Sequence, residues 1–410
     1  MNKFKYYFVL LLVGLAIVSC NKKDDDEVVV VPLKDYQEQF NIDNANIEEY
    51  LKTNYITVTE NMDVTISAIT DPATQPSIMS YLNSSTFPKL LLRNIDLHGI
   101  TYKMYYLVLR EGTGVAPMNT DGVLTAYRGE YLKRVDATAT EPEHLTTTLF
   151  DQIVYPQDIL DLYGVIMGWS EIYPQFKTGT TTYNGDGTPN YQDFGAGVLF
   201  VPSGLGYYAS PPASSIIPIY SPLIFSFKLY DIKRLDHENN GYSNGVLITN
   251  PDGVFDYQED INGDGYVRDY RNTTLYPNAP VNPDDTDGDG IPDFLDQDDD
   301  GDGYLTRIEI TKPSDQVGWG TLDGNPFNFG LRLYYPWDPM TDNPATPNVD
   351  ETEPRGIPRR PTGDLTYPDN DPAHPNPESI TNPRKFVPED YTAPGRLRIH
   401  LDKSYPYQKK

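Results

Sequence analysis

The pattern of apolar residues changes near residue 236, and this change limits where a regular core can form. Before it, apolar side chains recur with the two-residue period of strands or the 3.6-residue period of helices. After it, Asn, Gly, Asp and Pro dominate, and from residue 313 prolines are dense without hydrophobic periodicity. We therefore predict a globular region that ends near residue 235 and a Pro-rich, extended or disordered C-terminal tail over residues 312–410. Trp319, Trp337 and the neighbouring Tyr334 and Tyr335 indicate that part of this tail packs.

The chain is strongly acidic, with a formal net charge of -27 and a pI of about 4.4. This charge argues against a nucleic-acid partner, because phosphate binding requires a basic surface. Residues 251–310 contain 17 acidic against three basic residues and so supply 14 of the 27 excess negative charges. Cations are the more natural ligands of this segment.

The first 20 residues have the order of a bacterial export signal. Two lysines precede an apolar run over residues 6–18, which is too short to span a bilayer as a stable helix. The run ends Ile17-Val18-Ser19-Cys20, which resembles the lipobox of bacterial lipoproteins, and Cys20 is the only cysteine in the chain. The resemblance implies a signal peptide over residues 1–19 and a lipid on Cys20 that anchors the protein to a membrane. A signal peptide followed by an unrelated thiol is the alternative.

Residues 21–27, directly after Cys20, are a charged run with no means of packing, and we interpret residues 20–32 as a solvated acidic tether. The run also resembles the acidic surface-export signal of lipoproteins in Bacteroidetes-type bacteria. We therefore expect an outer-membrane lipoprotein that faces either the cell surface or the periplasm.

Residues 33–96 form a predicted helical N-terminal region. Ile47, Tyr50 and Leu51 are spaced at i, i+3 and i+4, and Leu33, Tyr36 and Phe40 show similar spacing, which predicts one or two amphipathic helices. Their apolar stripe requires a partner, which could be the neighbouring domain, a second copy of the chain or a client protein.

Residues 97–235 have the pattern of an antiparallel sheet with one helix. Strand-like runs occur at residues 101–109, 123–132, 197–201 and 223–232. Between them, Trp169, Ile172 and Phe176 share one face of a short predicted helix. The fold class expected is α+β, an antiparallel sheet wrapped on a short helix and followed by a loop-rich calcium-binding segment.

Six short motifs occur in order along this region: Ala126-Tyr127-Arg128-Gly129, Phe150-Asp151, Val165-Ile166-Met167-Gly168-Trp169, Val201-Pro202-Ser203-Gly204-Leu205-Gly206-Tyr207, Ile216-Ile217-Pro218 and Leu223-Ile224-Phe225. Together they resemble the FKBP family of peptidyl-prolyl cis/trans isomerases, over about 130 of the 410 residues. The resemblance implies an isomerase that acts on proline-containing polypeptides and needs no cofactor for catalysis.

Proline isomerisation explains why such a site is aromatic rather than acidic or basic. Rotation about the X-Pro bond must overcome a barrier of ~18–20 kcal/mol, because it destroys amide resonance. No bond is broken, so no nucleophile is needed. A dry pocket that grips the proline ring and favours the twisted amide is sufficient.

The resemblance also implies roles for individual residues. It places Trp169 on the pocket floor and six residues in its walls: Tyr127, Phe150, Val165, Ile166, Tyr207 and Phe225. Asp151 is the polar member, which forms hydrogen bonds inside the pocket. Ile217 and the Tyr207 hydroxyl contact the substrate.

Three departures from the family pattern bear on the pocket. Residues 180–195 are an insertion between the helix and the next strand, Tyr208 replaces the glycine that follows the pocket tyrosine, and Gln152 stands where serine is common. The insertion could narrow the cleft, and an alternative alignment would put Tyr208 rather than Tyr207 in the pocket.

Residues 251–311 contain acidic repeats with calcium-loop spacing. Asp298, Asp300, Asp302, Gly303 and Glu309 match the pattern D-x-[DN]-x-[DN]-G-x5-E at every specified position. Alternate carboxylates face one side of a tight turn, and calcium requires six to eight hard oxygen ligands. The sequence therefore predicts structural Ca2+, the alternative being an acidic disordered linker.

Two further loops lie upstream of this match. The nearer one has its acidic residues at Asp285, Asp287, Asp289, Asp293 and Asp296, and resembles thrombospondin type 3 repeats. The other begins with Asp260, Asn262 and Asp264, but its twelfth position is Arg271, so that Asp269 would have to substitute. We expect a calcium-stiffened spacer rather than a sensor, because flanking helices are not evident.

Two functions follow from these patterns. The first is an isomerase that assists the folding of exported proteins at the outer membrane. The second is a catalytically weak, FKBP-like peptide-binding module carried on a calcium-stiffened surface lipoprotein.

Overall fold

The computed structural model describes residues 32–405 except 244–245, 345, 347, 368–377 and 380. The chain divides into two units, Met1–Asp35 and Tyr36–Lys410, and almost all described residues belong to the second. The predicted signal peptide, Cys20 and nearly all of the acidic tether lie outside the described residues. In the part of the chain that is described, no helix combines the length and apolarity needed to cross a membrane.

The described elements are three α-helices, fifteen strands and several short 3-10 turns. The helices are α1 (Tyr36–Thr53), α2 (Met167–Ile172) and α3 (Thr306–Glu309). The strands are β1 (Asn54–Val58), β2 (Val64–Ala68), β3 (Lys89–Leu97), β4 (Ile100–Arg110), β5 (Gly122–Val135), β6 (His144–Ile153), β7 (Leu160–Asp161), β8 (Thr180–Tyr183), β9 (Pro189–Gln192), β10 (Gly195–Val201), β11 (Leu223–Lys233), β12 (Asn239–Ser243), β13 (Val246–Thr249), β14 (Trp319–Leu322) and β15 (Asn325–Asn328).

A seven-stranded antiparallel sheet organises the region before residue 236. Its order is β3-β4-β10-β11-β5-β6, and β7 pairs with β5. β3 pairs with β4 along its whole length, although the sequence prediction placed most of β3 in the N-terminal region. The remaining strands form four two-stranded hairpins, β1-β2, β8-β9, β12-β13 and β14-β15.

Both faces of this sheet are buried, which explains why both sets of alternating residues in β4 are apolar. Met104 and Tyr106 face a core that contains α2 and Trp169, whereas Tyr105 and Leu107 face a core that contains α1. Side chains of a strand alternate between faces, so a strand covered on both sides needs apolar residues throughout. The predicted antiparallel sheet with few helices is confirmed.

The N-terminal region covers the sheet face opposite α2. One helix of the one or two predicted forms there, and Ile47, Tyr50 and Leu51 are buried in the core on that face. The rest of residues 33–96 holds β1, β2 and most of β3, so the prediction of a helical region is wrong beyond α1. Burial of such side chains contributes roughly 1.5–3 kcal/mol each to folding. The neighbouring sheet is therefore the partner that this stripe required, whereas Leu33 precedes the helix and is exposed.

The C-terminal residues pack into a core of their own. Tyr335, Ile357, Tyr391 and Tyr405 are buried there with residues of the acidic segment. The prediction of an extended or disordered tail is wrong for the described residues, although regular structure is sparse there. The aromatic side chains of this core follow neither the strand nor the helix period, so periodicity does not reveal it. Of the aromatic residues that indicated packing, Tyr334, Tyr335 and Trp337 belong to the core, whereas Trp319 is exposed.

The acidic segment is attached to the sheet region by charged and polar contacts. Glu171 of α2 is buried and pairs with Arg93 of β3 at 2.8 Å and with Arg268 of the acidic segment at 2.5 Å. The Tyr266 hydroxyl donates a hydrogen bond of 2.8 Å to the Glu171 carbonyl oxygen. The backbone N–H of His98 donates one of 2.6 Å to the carbonyl of Leu275. The helix that carries Trp169 is thus held from both sides.

Candidate functional site

Trp169 lies at the beginning of α2, where the chain turns from an extended segment into the helix. Ile166 is the N-cap, and its carbonyl accepts the backbone N–H of Trp169 at 2.9 Å. Gly168 allows the helix to approach β10, since a Cβ there would lie 2.6 Å from a methyl group of Val201. This approach brings the indole over the centre of the sheet.

The indole of Trp169 is the centre of an aromatic cluster. Its ring lies 5.0 Å from Tyr127 and 5.1 Å from Phe225, both edge to face, and it stacks on Tyr173 at 5.1 Å. Phe150 packs edge to face on Phe225 at 5.6 Å. Such geometries are the favoured ones for aromatic pairs and hold the rings in fixed orientations.

Gly129 of β5 makes room for two of these rings. A Cβ at this position would lie 2.7 Å from Phe150 and 2.8 Å from Phe225, so any side chain would displace them. This close approach explains a glycine in the middle of a strand that is otherwise rich in larger residues.

One charged group stands beside the aromatic cluster. The Tyr127 hydroxyl donates a 2.5 Å hydrogen bond to Asp151, whose other carboxylate oxygen accepts the backbone N–H of Gln152 at 2.8 Å. Burial and this carboxylate both raise the pKa of Tyr127, since each disfavours the phenolate. Burial and the Asp151 charge likewise raise the pKa of Tyr207. Both hydroxyls therefore remain protonated donors at neutral pH.

These side chains surround a cavity of about 560 Å³. Eight of the nine residues predicted for the isomerase pocket line it: Tyr127, Phe150, Asp151, Val165, Ile166, Trp169, Tyr207 and Phe225. The ninth, Ile217, is buried in the same core but is not among the lining residues. The Trp169 Nε1 is buried and has no hydrogen-bond partner among the described residues, so the indole N–H is available to a ligand in the cavity.

Several lining residues were not predicted from the sequence, and three of them, Tyr36, His98 and Leu275, show how distant segments meet at the cavity. Tyr36 of α1 stacks on His98 of the β3-β4 turn at 3.7 Å and on Tyr208 at 4.5 Å, and Leu275 comes from the acidic segment. Burial lowers the pKa of His98 to about 4. No local pattern marks these residues, because their positions depend on packing between segments far apart in the chain.

The three departures from the family pattern leave the cavity formed. Tyr208 adopts φ +50, the left-handed region in which the glycine it replaces is favoured, and both Tyr207 and Tyr208 line the cavity. The insertion forms the β8-β9 hairpin, and none of residues 180–195 lines the cavity. Gln152 is exposed in β6.

The two better-matched acidic loops bring their first three aspartates together. One carboxylate oxygen each from Asp285, Asp287 and Asp289 lie within 4.8 Å of one another, and so do those of a second triad, Asp298, Asp300 and Asp302. The loops also touch, because a Cβ on Gly301, which has φ +63, would lie 2.1 Å from the Asp287 carboxylate. These oxygen-only donor sets fit calcium.

The remaining predicted ligands lie outside the two triads. Both carboxylate oxygens of Asp293 accept hydrogen bonds from Thr286, at 2.8 and 2.7 Å, and burial raises the pKa of Asp293 to about 6. Asp296 accepts backbone N–H groups at 2.7 and 3.1 Å. Glu309 is buried at the end of α3.

The loop at Asp260 differs from the other two. The Asp260 carboxylate accepts backbone N–H groups of its own turn at 2.8, 3.1 and 2.8 Å, and Asn262 is directed to Asp284. Among the described residues no carboxylate triad forms with Asp264. Arg271 at the twelfth position forms ion-pair contacts of 2.8 and 2.9 Å with Asp269, which is therefore engaged and does not close the loop.

Solved structures similar to this chain include FKBP-type isomerases. A peptidyl-prolyl cis-trans isomerase from Pseudomonas syringae pv. tomato is 16% identical, with a TM-score of 0.26, over 50% of this chain and 99% of that one. FkpA from Escherichia coli is 18% identical, with a TM-score of 0.23, over 48% of this chain and 60% of that one. The structure of the three FKBP domains of wheat FKBP73 is 18% identical, with a TM-score of 0.23, over 35% of this chain and 51% of that one.

A family described as BamM C-terminal matches residues 249–348. The match covers the whole acidic segment and the beginning of the C-terminal tail, and it lies outside the seven-stranded sheet. No curated protein matches the chain.

Proposed function

We propose that the cavity around Trp169 binds the X-Pro segment of a polypeptide and accelerates its cis/trans isomerisation. One observation carries this proposal: eight side chains from five separate sequence motifs converge on a single, mainly apolar cavity, and among these eight the polar groups are Asp151, the two tyrosine hydroxyls and the Trp169 Nε1. The size of the cavity, about 560 Å³, lies in the range of small-ligand sites and accommodates a proline with its neighbours.

The cavity lowers the barrier by preferring the twisted amide to either planar form. Aromatic walls remove water from the X-Pro bond, and loss of resonance costs less where the amide carbonyl is not solvated. The free Trp169 Nε1 and the Tyr207 hydroxyl are donors for the carbonyl groups that flank the proline. Each ~1.4 kcal/mol of preference for the transition state accelerates exchange tenfold.

We further propose that Cys20 is lipidated and anchors the protein to the outer membrane, on the cell surface or facing the periplasm. The supporting pattern is the lipobox-like end of the apolar run. In this arrangement Ca2+ binds at the two aspartate triads and stiffens residues 285–309. Its role is structural, and the catalytic cavity uses no cofactor. Its clients are exported proteins that contain proline.

A protease-coupled assay on a proline peptide tests the catalytic proposal. The full chain should accelerate cis-to-trans conversion, and Trp169→Ala should abolish the acceleration. Trp319→Ala is the matched control, because Trp319 is exposed in β14, far along the chain from the cavity residues. Full activity in Trp169→Ala would show that the site is elsewhere.

A catalytically weak peptide clamp is the second candidate. The observation that favours it is the stack of Tyr36, His98 and Tyr208, which adds a wall from α1 to the cavity. A more enclosed cavity favours tight binding of one planar form. Peptide binding that depends on Trp169 but gives no acceleration would select this function.

A further inference from the structure

Three acidic side chains outside the calcium-loop spacing meet in the interior of the acidic segment. One carboxylate oxygen each from Asp252, Glu259 and Asp299 lie within 4.8 Å of one another. All three residues are buried, with exposed fractions of 2%, 1% and 1%. They are separated by seven and by forty positions in the chain, so no local motif relates them.

These carboxylates have few protein partners. Neither oxygen of Glu259 has a hydrogen-bond partner among the described residues, and the same is true of Asp252 Oδ2. Asp252 Oδ1 accepts the backbone N–H of Val254 at 2.7 Å. Within the described part of the chain, no lysine or arginine forms an ion pair with any of the three. The nearest cation in sequence, Arg307, donates instead to the Pro251 carbonyl and to Tyr334.

Buried carboxylates in this arrangement repel one another and have lost their hydration. Interiors tolerate such groups when they are paired or when they coordinate a metal. Glu259 has no hydrogen-bond partner in the part of the chain that the structure describes, and its carboxylate lies beside those of Asp252 and Asp299, so a cation between the three would satisfy all of them. The group offers oxygen ligands alone, which suit a hard divalent ion.

We propose that Asp252, Glu259 and Asp299 form a buried calcium site, separate from the loop triads. Calcium fits better than magnesium, because magnesium retains several waters whereas calcium accepts protein oxygens on most sides. A second triad, Asp236, Glu238 and Asp252, shares Asp252 and is an extension of the same site.

The site joins three parts of the chain. Asp236 and Glu238 follow the last strand of the sheet, Asp252 and Glu259 begin the acidic segment, and Asp299 lies in its third loop. A cation here fastens the acidic segment to the end of the sheet region. The loop ions stiffen only the loops that hold them.

Counting bound Ca2+ in the full chain tests this site. We expect Glu259→Gln to bind at least one Ca2+ fewer than the wild type in equilibrium dialysis, while the exposed control Glu141→Gln binds as many. Glu259→Gln combined with Asp285→Asn should bind fewer ions than Asp285→Asn alone. Asp252→Asn, which keeps an oxygen for the Val254 N–H, is the second variant if Glu259→Gln does not fold.

Thermal unfolding is an independent test, because Glu259→Gln should lower the unfolding temperature when Ca2+ is present but not when a chelator is present. With Ca2+ present, Glu259→Gln should unfold at a lower temperature than the wild type. With chelator it should be at least as stable, since one of three mutually repelling charges has been removed. The proposal is overturned if the folded variants bind as many Ca2+ ions as the wild type, or if the double variant binds as many as Asp285→Asn.

Discussion

Trp169 combines two properties that rarely occur together in a buried residue. Its ring is fixed by three aromatic neighbours, whereas its Nε1 has no hydrogen-bond partner among the described residues. Burying an N–H donor without a partner costs about 1–3 kcal/mol. A site that binds a carbonyl group recovers this cost when the ligand enters. The indole thus lines the cavity and carries the N–H donor that the proposed substrate carbonyl would accept.

A substitution at Tyr127 tests the role of the polar side of the same cavity. Tyr127→Phe keeps the ring against Trp169 but removes the 2.5 Å hydrogen bond to Asp151, leaving the carboxylate free to turn away. We expect kcat/KM for a proline peptide to fall about tenfold, equivalent to ~1.4 kcal/mol, with an unchanged circular dichroism spectrum. If Tyr127→Phe retains the wild-type kcat/KM, this hydrogen bond does not contribute to catalysis.

His98 makes stability depend on pH in a defined window. In the unfolded chain a histidine has a pKa near ~6.5, whereas burial against Tyr36 lowers the pKa of His98 to about 4. Between these values the unfolded state binds more protons, so the stability that is fully present above the unfolded pKa declines as the pH falls toward 4.

The His98→Asn variant measures this contribution. Its unfolding free energy should fall less steeply than that of the wild type between pH 6.5 and 4, whatever its absolute stability, because the titrating ring is gone. The exposed His144 supplies the control, and His144→Asn should retain the wild-type slope. Equal slopes for wild type and His98→Asn would contradict the buried, neutral state of His98.

At the scale of elements, α2 owes its position to charges as much as to its apolar face. It is only six residues long, too short to be stable alone. The buried Glu171 carboxylate holds it between Arg93 of β3 and Arg268 of the acidic segment. The segment that follows the sheet therefore helps to place the cavity floor.

Arg268→Gln should reveal this connection. Loss of one partner of a buried carboxylate is expected to reduce the free energy of unfolding by about 2 kcal/mol and to lower isomerase activity through movement of α2. Arg271→Gln, whose pair with Asp269 is local, should cost less than about 1 kcal/mol. Equal effects of the two substitutions in urea unfolding would refute the bracing role of Arg268.

Changes in the β8-β9 hairpin, unlike Arg268→Gln, should leave activity unchanged. None of its residues lines the cavity, and its two strands are largely exposed. Replacing residues 184–188 at its tip by a two-residue Asn-Gly turn should leave kcat and KM for a short proline peptide within twofold of the wild type. A large change in either constant would mean that the inserted hairpin reaches the substrate.

Local patterns predicted the elements that carry a regular run of apolar residues, whether on one face or on both. The strands β4 and β11, the stripe of α1 and the helix at Trp169 were all recognisable in this way. The family motifs then identified eight lining residues of the cavity. Tyr36, His98 and Leu275 could not be found, because they reach the cavity through contacts between segments far apart in the chain. The cluster of buried carboxylates at Asp252 and Glu259 was not predicted for the same reason.

At the scale of the whole molecule, residues beyond the sheet form a second core rather than a tail. Tyr335, Tyr391 and Tyr405 are buried with Val254 and Ile310 of the acidic segment. A buried ion pair between Lys312 and Glu353 lies in the same region. The acidic segment thus contacts both cores, through Val254 and Ile310 on one side and through Tyr266 and Arg268 on the other.

Removing calcium should therefore loosen the acidic segment before the sheet. In chelator we expect faster proteolysis within residues 251–310 and faster amide exchange there, while the strands of the sheet remain protected. Peptide affinity should also weaken, because Leu275 lines the cavity. Identical proteolysis with and without chelator would refute the calcium-dependent stiffening of this segment.

Exchange spectroscopy on a proline peptide tests the central claim most directly, because it observes the cis and trans forms without a coupling protease. Uncatalysed exchange takes about tens of seconds or longer, so the free peptide gives no exchange cross-peaks on a one-second mixing time. With a catalytic amount of the full chain we predict clear cross-peaks, which disappear for Trp169→Ala and persist for Trp319→Ala. Chemical-shift changes on binding with no cross-peaks would contradict the isomerase and leave a peptide clamp.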